Sequence, residues 1–223
     1  MLEIIPDILD FNSLKEIREL LSTAAYQDGK TTAGYRAKRV KENQQVKGDA
    51  AGRQRIDDLV RDGLRNHKDF QRLAFPKLIQ KPLLSRYSKG MKYGLHVDDA
   101  LMGKGTKSRT DISVTVFLNS PTEYEGGVLE MHSPFGLEEI KLPAGACVLY
   151  PSNTLHQVTE VTEGERQVAV TWVQSYVPDA AHREMLVDLN RVRVHLHKSD
   201  PDSEITDTAF KTYTNLLRIW SDV

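Results

Sequence analysis

The sequence predicts a mainly β protein with helices at both ends, its core an all-β sandwich or barrel. Three observations carry this. Between about residues 74 and 177, many short β-branched or alternating segments are separated by Gly, Pro, Asn and Ser, the spacing of a sandwich or barrel. Ahead of them, apolar residues recur at helical intervals, and after Pro178 the helical period returns. The expected organisation is an N-terminal helical flank packed on the core (1–73), a β core (74–177) and a C-terminal helical extension (178–223).

In chain order, "DFNSLKEIRELLSTAAY" puts Leu14, Ile17, Leu20 and Leu21 at helical spacing, and Ser13 with Glu16 fits a capping box. "RQRIDDLVRDGLRNHKDF" repeats the pattern with Ile56, Leu59, Val60 and Leu64. The polar, lysine-rich stretch between them, 27–52, reads as an irregular loop or edge strand. Strands are expected in "KPLLSRYS", "DISVTVFLNS", "GGVLEMHS", "EEIKLP", "ACVLYPS", "LHQVTEV" and "RQVAVTWVQSYV". Two helices close the chain, "HREMLVDLNRVRVHL" and "DTAFKTYTNLLRIWSDV", broken at "HKSDPDSE". The stripe Phe210, Tyr213, Leu216, Leu217 and Trp220 is read as packing against the core, with a homodimer contact as the alternative.

Composition excludes several classes. Lys and Arg number 30 against 31 Asp and Glu, a net charge of −1 over 223 residues, so no basic field argues for nucleic acid. No apolar run approaches the ~20 residues of a membrane span. The start "MLEIIPDILD" carries acids where a signal peptide would carry Lys or Arg. The single cysteine, Cys147, rules out an intrachain disulfide framework and a multi-cysteine metal site. These features describe a cytoplasmic protein without nucleic-acid or membrane partners.

The chemistry begins at "MKYGLHVDD". In an extended segment, side chains two apart share a face, so His96 and Asp98 point one way and Asp99 the other. A metal site needs a third ligand, and His156 supplies it. The segment "YPSNTLHQVTEVTEGERQVAVTW" reads as a hairpin turning at "TEGE". His156 and Arg166 would then face the same side, offset by roughly 13 Å along the strands. The long arginine side chain covers part of that gap, and the remainder is the size of a short dicarboxylate, chelated to the metal at one end and paired with the arginine at the other. Two histidines and a carboxylate on one side of an ion leave positions open, as in non-haem Fe(II) oxygenases, and a guanidinium fork fits a distant carboxylate.

The H-x-D, the later histidine and an arginine ten residues beyond it resemble the Fe(II)/2-oxoglutarate-dependent dioxygenases of the prolyl-4-hydroxylase branch. "SRYSKGMKYGLHVDD", "EGGVLEM" and "LPAGACVLYPSNTLHQVTEVTEGERQVAVTWVQSYV" look like the bacterial PKHD-type hydroxylases in particular, over nearly the whole chain. The resemblance implies a double-stranded β-helix (jelly-roll) core. It implies His96, Asp98 and His156 as Fe(2+) ligands, Arg166 on the 5-carboxylate of 2-oxoglutarate, Tyr87 hydrogen-bonding that cosubstrate, and Trp172 lining the pocket. It also implies L-ascorbate as a further ligand, which keeps the iron ferrous. The reaction implied is hydroxylation of a small-molecule or peptide substrate, with 2-oxoglutarate and O2 converted to succinate and CO2.

Each residue has a structural alternative. His96 with Asp98 is otherwise a solvated pair at a loop edge, His156 a core histidine, Arg166 a surface residue after a turn, Tyr87 and Trp172 core aromatics. His132 reads as a strand-end residue. The competing function is a non-catalytic, cupin-like jelly-roll sensor of iron or 2-oxoglutarate. A cupin site would use an H-x-H, and the one here, His195 and His197, lies in a helical segment where positions two apart diverge. Nothing in the sequence names the substrate; 27–52 and 101–110 are the segments that would cover it.

Overall fold

The computed structural model describes residues 1–103, 105–134 and 136–223; Lys104, inside the second expected cover, lies outside them. The N-terminal flank is more than helical. Strand β1 (Glu3–Ile5) precedes helix α1 (Phe11–Ser22), and the polar stretch holds β2 (Tyr26–Asp28), β3 (Lys41–Glu42) and β4 (Gln44–Val46) before α2 (Arg53–Asn66) and α3 (Lys68–Ala74). The expected capping box gives way to Asp10, whose carboxylate accepts from the Ser13 amide at 2.7 Å and starts α1 one turn earlier. Glu16 is thereby free to pair with Arg55 of α2.

Twelve strands follow, and each expected core strand is present: β5 (Pro76–Ile79), β6 (Leu83–Ser88), β7 (Lys92–His96), β8 (Leu101–Met102), β9 (Ser108–Arg109), β10 (Ile112–Phe117), β11 (Tyr124–Gly126), β12 (Leu129–Ser133), β13 (Gly136–Ile140), β14 (Cys147–Pro151), β15 (Leu155–Val158) and β16 (Val161–Ser175). Apart from β8 and β9, which pair with each other, they join β1–β4 in two facing antiparallel sheets. The larger runs β1-β14-β10-β16-β6-β4-β2, with β5 and β11 also paired to β16; the smaller runs β13-β12-β15-β7-β3. Tyr87, Phe117 and Val168 of the first cluster with Leu129, Met131, Ile140 and Val158 of the second, so one apolar layer lies between the sheets.

The hairpin expected at "TEGE" does not form. β15 belongs to the smaller sheet, with His156 opposite His96 and Met131, and β16 to the larger, with Arg166 opposite Tyr87. Thr159 and Glu160 carry the chain across. Gly164 sits within β16 at φ 74° against β11, where a Cβ would stand 2.2 Å from the Glu123 carbonyl. The glycine serves close backbone approach rather than a reversal.

Helices α1–α3 cover the outer face of the larger sheet, burying Ile17, Leu21, Ile56, Val60, Leu64 and Phe70 against Leu84, Val114, Val116, Ala169 and Val173. Full burial of each large apolar side chain contributes about 2 kcal/mol. At the C-terminus, α4 (Ala180–Ser199) and α5 (Glu204–Trp220) pair. The expected stripe of α5 lands on α4 rather than on the β core: Trp220 stacks on His182 at 4.2 Å, and the Arg193 guanidinium lies 3.9 Å above the Tyr213 ring. With α4 in reach, the stripe needs no sheet to cover it. His195 and His197 are both exposed. No helix among the described residues is long and apolar enough to cross a membrane.

Candidate active site

A cleft of about 690 Å³ opens between the two sheets. All six residues singled out above line it: Tyr87, His96, Asp98, His156, Arg166 and Trp172. Strand alternation delivers them. Along β16, Arg166, Val168, Val170 and Trp172 share the inward face. β7 ends on His96, and the chain leaves the sheet so that Asp98 swings toward the cleft.

Among the described residues, one group of three could hold a metal: His96, Asp98 and His156, with donor atoms all within 4.8 Å of one another. Each Nδ1 is tied to a backbone carbonyl, His96 to Gly94 at 2.8 Å and His156 to Thr154 at 2.9 Å. A carbonyl only accepts, so Nδ1 carries the hydrogen and Nε2 presents its lone pair to the cleft. Both Nε2 atoms approach the same oxygen, Asp98 Oδ1, at 3.9 and 4.0 Å. Burial, reinforced by His156, pushes the His96 imidazolium well below the usual histidine range, leaving the neutral form that binds metal. Tyr93 stacks on His96 at 3.6 Å and Tyr150 meets His156 edge-on at 5.1 Å, holding both rings.

Asp98 is oriented by Trp172 and by a residue that the sequence does not single out, Ser113. Its Oδ2 accepts from the Ser113 hydroxyl and, at 2.9 Å, from the Trp172 indole N–H. Ser113 in turn sits 2.9 Å from the Ser152 hydroxyl. With Oδ2 occupied, Oδ1 is the one free donor. Trp172 therefore does more than line the pocket. A signal for Ser113 was present in "DISVTVF", where serine and threonine alternate with β-branched apolar residues in a strand buried on both faces.

Arg166 lies across the cleft from the triad. It is 1% exposed, and its Nε has no hydrogen-bond partner. The guanidinium carbon lies 5.2 Å over the Tyr87 ring and 5.4 Å over Phe117. Gly127, at φ 59°, approaches its stem so closely that a Cβ would stand 3.1 Å from Arg166 Cδ. No described carboxylate pairs with this guanidinium. A buried cation without a counter-charge is costly, so its surroundings are built to receive an anion. The donor set (two imidazoles, one carboxylate) and this arginine together fit Fe(II) and a dicarboxylate.

Comparison with known proteins agrees with this chemistry. The model of the 2OG-Fe(II) oxygenase superfamily matches residues 82–174. A PKHD-type hydroxylase of Thioalkalivibrio sulfidiphilus is 46% identical over 224 residues, covering 100% of both chains. Among solved structures, a prolyl-4-hydroxylase of Pseudomonas putida aligns with TM-score 0.52 at 17% identity, over 78% of this chain and 92% of its own. A prolyl hydroxylase of Trichoplax adhaerens, in complex with a hypoxia inducible factor peptide fragment, aligns with TM-score 0.57 at 15% identity, over 77% and 82%. At such identity the two structures establish a shared jelly-roll fold and nothing finer.

Proposed function

We infer that this chain, which belongs to the PKHD-type hydroxylases of the 2OG-Fe(II) oxygenase superfamily, holds its iron through His96, Asp98 and His156 and grips 2-oxoglutarate through Arg166. It is an iron- and 2-oxoglutarate-dependent dioxygenase that hydroxylates its substrate and converts 2-oxoglutarate and O2 to succinate and CO2. The observation that carries the residue assignment is the fully buried guanidinium, without a carboxylate partner among the described residues, sharing one cleft with a convergent His–Asp–His donor set.

Each side chain has a task. His96 and His156 offer Nε2, their Nδ1 hydrogens being engaged by carbonyls. Asp98 offers Oδ1, with Oδ2 pinned by Ser113 and Trp172. These three residues would hold the ion through one side, and the positions left open would admit a 2-oxo acid and O2. Arg166 pairs with the distal carboxylate, assisted by the Tyr87 hydroxyl from the neighbouring strand. When bound, the iron would activate O2, which is the oxidant; the protein orients the reactants and keeps water out. Ascorbate is the reductant that would keep such an iron ferrous.

The substrate is a small molecule or a peptide. The net charge of −1 supports a function without nucleic acid, and the single cysteine supports a cytoplasmic setting. Exposed Ile205 and Ile219 on α5 are the surface through which a second copy would pair. A non-catalytic sensor is not favoured, because a relative 46% identical over its full length is a hydroxylase by name.

Anaerobic addition of Fe(II) and 2-oxoglutarate should produce a visible metal-to-ligand charge-transfer band. Arg166→Met should weaken 2-oxoglutarate binding by about 3 kcal/mol, the scale of a lost buried charge pair, with iron affinity retained. Unchanged 2-oxoglutarate affinity in that variant would show that another residue holds the distal carboxylate.

A further inference from the structure

The N-terminal arm contributes a second polar wall to the same cleft. β3 joins the smaller sheet with Lys41 opposite Tyr93, and Lys41, Asn43 and Gln45 all line the cleft. Lys41 is 5% exposed; its ammonium donates to the Thr32 hydroxyl at 3.2 Å and lies 5.1 Å over the Tyr93 ring that stacks on His96. No described carboxylate comes within ion-pair distance of it. Burial draws the ammonium down to about 8, so it still carries charge at neutral pH.

Asn43 is 4% exposed, and neither its amide nitrogen nor its oxygen completes a hydrogen bond, although it lies beside the Tyr87 hydroxyl. Its seat is built. A Cβ at Gly29 would stand 1.8 Å from Asn43 Oδ1, and the Gly29 amide donates to the Asn43 carbonyl at 2.9 Å. Two buried polar side chains with unused capacity therefore face one space.

The charges of the cleft extend the argument, which rests on the reading of the preceding section. Iron brings two positive charges, and Arg166 and Lys41 one each. Asp98 brings one negative charge and 2-oxoglutarate two, which leaves one positive charge unmatched. The remaining charged lining residue, Asp99, is exposed. Moreover, every group assigned to iron or 2-oxoglutarate lies within the family-matched residues 82–174, whereas Lys41 and Asn43 lie outside them. That separation points to the substrate rather than the cosubstrate.

We propose that Lys41, helped by the Asn43 amide, anchors a carboxylate of the molecule that is hydroxylated, so that the substrate is a carboxylic acid. One ammonium and one amide N–H match a monoanion; a phosphate dianion would overshoot the single unmatched charge.

The test uses the full chain loaded with redox-inert Zn(II) and saturating 2-oxoglutarate, probed by 19F NMR with trifluoroacetate and its neutral match, trifluoroacetamide. Saturable binding of the acid, at least ten-fold tighter than the amide, is expected. Lys41→Gln should abolish that preference and Lys41→Arg retain it, while 2-oxoglutarate affinity stays within two-fold in both. Absence of saturable acid binding, or a preference surviving Lys41→Gln, would overturn the proposal. So would a parallel loss of 2-oxoglutarate affinity, which would assign Lys41 to the cosubstrate, or tighter binding of inorganic phosphate. Failure of the wild-type protein to bind 2-oxoglutarate at all would instead bring down the preceding section, and the charge argument with it.

Discussion

The two faces of the larger sheet are made by the same strands and do opposite things. On β10, Ile112, Val114 and Val116 point to the helices, while Ser113, Thr115 and Phe117 point to the smaller sheet. On β6, Leu84 faces the helices and Ser85 and Tyr87 the cleft; on β16, Ala169 and Val173 oppose Arg166 and Trp172. The outer face is apolar, and burying it drives folding. The inner face carries the buried Arg166 guanidinium, the Trp172 indole N–H and the Ser113 and Thr115 hydroxyls, polar groups whose burial opposes folding. One face thus supplies the stability that the other spends on function, and a two-residue period is all that keeps them apart.

That contrast can be broken on either face. The largest effect is expected on the helical side. Leu84→Ala should lower stability by about 3 kcal/mol through lost burial and a residual cavity, read as a reduced urea midpoint, while metal affinity and the 2-oxoglutarate charge-transfer band persist. A variant that instead lost the band at unchanged stability would show that the faces are not independent.

On the cleft side, Trp172→Phe keeps the aromatic volume and removes the indole N–H from Asp98 Oδ2. Loss of such an outer hydrogen bond typically weakens metal binding about 10- to 100-fold, with little change in stability. Competition against a calibrated chelator would measure it, and wild-type affinity in the variant would leave Asp98 orientation to Ser113.

The smallest effect is a pH dependence that belongs to the cleft face alone. The folded protein resists protonating His96, whereas the unfolded chain takes up that proton below about pH 6.5. The unfolded state then binds more protons, so stability rises with pH. The metal-free protein should lose about 1 kcal/mol per pH unit as pH falls below that value, followed by thermal melts at stepped pH. His96→Ala should flatten the slope; an unchanged slope would place the responsible group elsewhere.

Local signals were legible where the physics is local. The alternation of β10 and β16, the helical stripes of α1 and α2 and the H-x-D pair all follow from backbone period, and each expected strand of the core formed. The expectations that failed concern partners. Ser13 lost the capping role because Asp10 offered a carboxylate one turn earlier. The stripe of α5 met α4 because a second helix was nearer than the sheet. Lys41 and Asn43 drew no notice in a polar stretch, since their importance arises only when β3 pairs with β7.

By itself, then, the sequence determined which residues share a face and which side chains are chemically able to hold a metal and a dicarboxylate, because side-chain direction repeats every two residues in a strand and about every 3.6 in a helix. Tertiary structure alone decided that His156 and Arg166 meet from opposite sheets rather than along one hairpin, and that the N-terminal arm closes the wall with a lysine. Sheet pairing is chosen by hydrogen bonds and burial between segments far apart in the chain, and no local period encodes that choice.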